Sequence, residues 1–128
     1  MMKTNRMMLV ILLMDVSCIQ ATAQGFPEVF ANVGVFSTGM FGGIQGASSF
    51  DLEKEVPGML TDTKTFNSLF DIFFLSCGEQ DPRIEYTRSI VKKMRDGGVK
   101  VRFNSYPGDH EWQVWRKSLH EFAQYLFK

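Results

Sequence analysis

The stretch IFFLSCGEQD, residues 72–81, decides how the chain is read. Its first six residues form a nearly continuous apolar run of strand length, as carried by a strand covered on both faces. A strand with one wet face would alternate instead. The run stops at Gly78, and Asp81-Pro82 opens a different pattern. From Pro82 to about Asp96, Ile84, Ile90, Val91 and Met94 recur at helical spacings, and Gly97-Gly98 supplies the stop. Val99–Asn104 alternates as a further strand. The last helix carries Trp112, Trp115, Leu119, Phe122 and Leu126 as a single apolar stripe. Strand, helix and strand in succession, with buried strands, imply parallel pairing in an α/β sheet.

Working outward, Asn32–Ser37 reads as another short buried strand, preceded by a helical turn at Phe26–Phe30 that Pro27 begins. Residues 38–65 are rich in Gly, Ser and Thr, with a charged patch at Asp51–Glu55, and read as a long irregular loop with one helical turn. The expected fold is therefore α/β, with three mainly parallel strands and flanking helices. That is half of an ordinary doubly wound domain.

At 128 residues the chain holds at most one domain. Twelve Phe, three Tyr and two Trp suffice to fill a core. Acidic and basic residues balance at 14 each, which leaves no electrostatic case for nucleic acid or an anionic membrane surface. Residues 1–23 have a leader's layout: Lys3 and Arg6, an apolar run Met7–Met14, then small residues ending Ala21-Thr22-Ala23. Eight apolar residues in a helix span about 12 Å, well short of the ~30 Å hydrocarbon core, so no stable membrane span is expected. We expect a signal peptide over 1–23, a domain over 24–128, and export to the periplasm or the extracellular space. Lipoprotein anchoring through Cys18 fits less well, because Asp15 stands where an apolar residue belongs. With the leader removed, Cys77 has no partner for a disulfide and reads as a small buried hydrophobe.

In open parallel sheets ligands gather at the carboxyl ends of the strands. Ser37, Asp81 and His110 each follow one of the three predicted strands, so they share that edge. Two readings of Asp81 stand: a helix N-cap before a proline at the first helical position, or the acid of a carboxylate–imidazole pair. His110, within YPGDHEWQVW at residues 106–115, is either a cap or turn residue or a general base held on a loop. Asp109, His110 and Glu111 are adjacent and so aim at no single ion, and no metal or other cofactor is expected. Trp112 and Trp115 are expected in the core and His120 on the surface.

Three segments carry a resemblance: FFLSCGEQD at 73–81, the Gly-Gly-Val turn at 97–99, and PGDHEWQVWRKSLHEFAQYLF at 107–127. They are similar to the C-terminal half of the esterase family of α/β-hydrolases that includes feruloyl esterases, acetylxylan esterases and esterase D. FPEVFANVGVFSTG at 26–39 resembles the segment after that family's nucleophile helix, so the likeness covers residues 26–128. The resemblance implies a serine hydrolase with chain order Ser, acid, His. It places Asp81 as the triad acid and His110 as the base, acting on ester-decorated polysaccharide or small esters.

The sequence departs from the family where a Gly-x-Ser-x-Gly elbow belongs. Counted back without gaps, the elbow falls on residues 11–15. Leu13 stands in the serine's place, and Asp15 and Val16 stand where glycines belong. The expectation is an esterase-type domain that keeps acid and base but is inactive alone, with a bare sheet edge that invites pairing with another chain. The alternatives are a non-catalytic exported carbohydrate-binding module and an unstable gene fragment.

Overall fold

A computed structural model describes residues 7–12, 30–37 and 51–126. The described elements are strand β1 (Met7–Leu12), strand β2 (Phe30–Phe36), helix α1 (Leu52–Glu55) and helix α2 (Thr63–Leu69). Strand β3 (Ile72–Gly78), helix α3 (Ile84–Asp96), strand β4 (Arg102–Tyr106) and helix α4 (Trp112–Leu126) follow. The sheet runs β1-β2-β3-β4, with every neighbouring pair parallel.

The nearly unbroken apolar run of β3 has the cause its sequence implied, since both faces are covered. Phe73 and Leu75 face one side with Val33 and Val35 of β2, against Ile90, Val91 and Met94 of α3. Phe74 faces the other side with Phe36 and Phe122 of α4. The alternation follows the two-residue period of a strand. The second cluster is tight. The Phe74 and Phe122 ring centroids are 5.7 Å apart, and Phe36 meets both rings edge-on. Polar pinning adds to it, because the buried Ser76 hydroxyl donates to Ser118 Oγ at 2.7 Å, which donates to Val114 O.

The three expected parallel strands are present, and a fourth, β1, lies inside the apolar run assigned to the leader and pairs with β2 from Met7↔Phe30 to Leu12↔Phe36. Three expectations need correction. Val99–Asn104 is not itself the strand, which starts at Arg102; Val99 and Val101 are instead buried in the core beneath α2 and α3. The loop ends in two helices, each started by an aspartate: Asp51 accepts from Glu53 N and Lys54 N, and Asp62 from Thr65 N. Finally, α4 buries Val114, Ser118 and Phe122, while Trp112 and Leu119 are exposed. The aromatic stripe is thus turned partly away from the sheet. The predicted turn at 26–30 lies outside the described residues except Phe30, which is in β2. Among the described residues no helix is long and apolar enough to cross a membrane.

Candidate active site

Asp81 and His110 meet. They lie on the loops after β3 and β4, and His110 Nδ1 is 3.0 Å from Asp81 Oδ2. Asp81 is 1% exposed and the His110 side chain 29%, so a buried acid backs an imidazole that reaches solvent.

Backbone geometry forces the two loops together. Past the strand ends, Glu79 N donates to Tyr106 O, and Gln80 N donates to Gly108 O at 2.9 Å. Gln80 Oε1 accepts from Gly108 N in return, at 2.6 Å. At Gly78 a Cβ would stand 2.4 Å from Gly108 O and 2.7 Å from Asp109 O, so only glycine permits this approach. Gly108 has φ +131, and a side chain there would also strike Val114 and Glu111.

Both readings of Asp81 hold at once, one for each oxygen. Oδ1 accepts from Arg83 N at 2.9 Å, a turn-capping bond, and from Arg83 Nη1 at 3.1 Å; Oδ2 faces the imidazole. Burial raises the Asp81 carboxyl. The Arg83 N–H, His110 and the Arg83 guanidinium more than offset it, holding the group below the ordinary aspartate value. An ionised carboxylate only accepts, so Nδ1 carries a proton, and in the neutral ring this leaves Nε2 as the acceptor. The Trp115 ring meets the imidazole edge-on at 5.3 Å. A carboxylate and an imidazole in this arrangement have the geometry that orients a general base where a nucleophile is at hand.

Other groups on this rim are placed differently. Ser37 ends β2 at φ 49, buried, with its N–H donating to Ser76 O and its Oγ without a partner. It is bonded to neither Asp81 nor His110. Burial, and then the Asp81 carboxylate, push the Cys77 thiol up to about 12, so it stays a protonated core group. His120 is exposed, as predicted. Trp112, two residues past His110, is 60% exposed rather than buried. Leu13, expected in the place of the nucleophile, lies outside the described residues, directly after the last residue of β1. Sequence reasoning missed Arg83 and Gln80. Asp-Pro-Arg held a usable signal, because an Asx turn brings the residue two places on back over the carboxylate. Gln80 offered none, since its partner is 28 residues away.

No family profile matches the chain. An acetyl esterase of Caldicellulosiruptor saccharolyticus is 20% identical over 76 residues, which cover 59% of this chain and 29% of that protein. Among solved structures, a ferulic acid esterase matches 89% of this chain and 47% of its own at 18% identity, with a TM-score of 0.64. The substrate-bound structure of FphF, a fluorophosphonate-binding serine hydrolase of Staphylococcus aureus, matches 88% of this chain and 50% of its own at 16% identity, with a TM-score of 0.57. The chain spans about half the length of those two structures, and under a third of the acetyl esterase. At these identities the likenesses establish the fold, which the chain shares with about half of each of those two structures.

Proposed function

We propose that this esterase-type domain carries the acid and base of a serine carboxylic-ester hydrolase, Asp81 and His110, without the nucleophile. The observation that carries the reading is the 3.0 Å contact between a buried carboxylate and a solvent-reaching imidazole at the sheet's carboxyl edge. In a complete site, His110 Nε2 would take the serine proton and return it to the leaving alcohol. Asp81 would fix the tautomer and stabilise the imidazolium. The acyl group would pass to serine and then to water. Acetyl and feruloyl esters on polysaccharide are the substrate class that the family resemblance implies.

Leu13 at the elbow offers neither nucleophile nor proton, so we propose that the chain alone is inactive. Loss of one triad member typically costs several orders of magnitude in rate. The test is release of p-nitrophenol from p-nitrophenyl acetate by the purified protein. The expected result is turnover at background, the same in His110→Ala. Turnover that His110→Ala abolishes would overturn the inactivity while leaving the acid–base pair in place.

One observation favours a second reading. Trp112, two residues past His110 in the chain, is a large aromatic left 60% exposed, as in a platform for a sugar ring. Binding of xylan fragments that is lost in Trp112→Ala but kept in Asp81→Ala and His110→Ala would support a non-catalytic carbohydrate-holding module. Export through residues 1–23 and pairing with another chain at the sheet edge complete the reading.

A further inference from the structure

The carboxylate of Asp81 is gripped on the side away from the imidazole, by a residue to which the triad pattern gives no role. Arg83 supplies two donors to Oδ1, its backbone N–H at 2.9 Å and Nη1 at 3.1 Å. The turn does not need this grip. Asp81 N already donates to Gly78 O and Ile84 N to Asp81 O, so main-chain bonds close it on both sides. The guanidinium is not an exposed pair of convenience either. The Arg83 side chain is 24% exposed against 0% for Asp81, and its Nε is buried without a partner. Leaving a donor orphaned is unfavourable, so the side chain is aimed at Asp81 at the expense of its own satisfaction.

We propose that Arg83 is a positioning residue for the His110–Asp81 pair, filling Oδ1 so that Oδ2 alone is presented to the imidazole. This rests on the reading of Asp81 and His110 as acid and base. Nη1 also lies 3.4 Å from His110 Nδ1. Two donors therefore converge on one carboxylate, which must remain ionised to accept from both. A carboxylate with free rotation about its Cβ–Cγ bond could offer either oxygen. Filling Oδ1 removes that freedom and fixes the ring plane of His110 against Trp115. The charged or titratable groups facing Asp81 are Arg83 ahead of α3, His110 from the loop after β4, and Cys77 from β3. Of these, Arg83 is the cation on Oδ1.

The test is imidazole 1H–15N NMR of the full chain, which contains only two histidines. His120 is exposed, so its ring protons exchange rapidly. The wild-type protein should show a protected Nδ1 proton on His110 that Asp81→Asn removes. Arg83→Met should speed exchange of that proton about tenfold or more, the factor that goes with losing a hydrogen bond to a charged group. It should also raise the titration midpoint of the Asp81 carboxyl carbon. Arg83→Lys, which restores a cation without the fork, should recover the midpoint more fully than the exchange protection. Arg83→Gln serves if Arg83→Met does not fold. Wild-type protection in a folded Arg83→Met or Arg83→Gln protein would overturn the inference while leaving the acid–base pair intact. A wild-type signal indifferent to Asp81→Asn would sink the pair itself, and this inference with it.

Discussion

Glu53 holds the turn after α1 with one carboxylate. Gly58 N, Leu60 N, Thr61 N and Thr61 Oγ1 all donate to it. The Thr61 hydroxyl and the backbone N–H groups bring its carboxyl down to about 2. Because the folded-state value is depressed, the stability that Glu53 contributes is complete above the ordinary glutamate value of 4.5 and fades as the pH falls toward about 2. Asp81, lowered by Arg83 and His110 against its burial, adds a term of the same sign. Thermal melts of wild type and Glu53→Gln should therefore differ most near neutral pH and converge toward pH 2. A gap that stays constant across that range would mean the ionised carboxylate contributes nothing.

At the scale of elements, the separation of Asp81 and His110 is set by β3 and β4 rather than by the side chains. The strands stay in register through Gly78↔Tyr106, and the Gln80–Gly108 pair of bonds carries the pairing past their ends. Gly78→Ala should push the Gly108 carbonyl away, destabilising the fold by about 1–3 kcal/mol as overpacking typically does. It should also abolish the protected His110 proton. Calorimetry and the imidazole spectrum check these together; a melt and spectrum unchanged in Gly78→Ala would show that the close approach is not what fixes the pair. The strand at Ile72–Gly78 was legible to within one residue, because burial on both faces leaves a continuous apolar signature. The strand at Arg102–Tyr106 was displaced along the sequence because Val99 and Val101, apolar and alternating, are buried before the ladder begins. Helices of four and seven residues, α1 and α2, are too short for a clear period. Their Asp51 and Asp62 caps were the available signal.

For the whole molecule, the proposed leader and the sheet lay claim to the same residues. Met7–Leu12 is strand β1, yet it sits inside an export leader's layout. Cleavage after Ala23 would remove β1 and leave the N–H and C=O groups along one side of β2 unpaired, an edge that invites another chain. Under the proposed export, protein recovered from the cell envelope should lack residues 1–23 by intact mass. Its sedimentation should show association that grows with concentration. An uncleaved mass would overturn export and keep β1 in the sheet. A cleaved chain that sediments as a monomer at every concentration would overturn the pairing.

Sequence alone determined the parallel α/β class and placed Asp81 and His110 at one rim. Apolar period and length respond to burial, and burial on two faces reads differently from burial on one. Asp81 and His110 were found because each follows a strand end within a family pattern. Only the tertiary structure decided that Arg83 grips Asp81, that Gln80 ties the two loops together, that Trp112 faces solvent, and that Asp81 caps a turn and backs His110 at once. Those facts depend on which way a side chain turns and on what a distant loop brings within 3 Å or so. No local pattern encodes either.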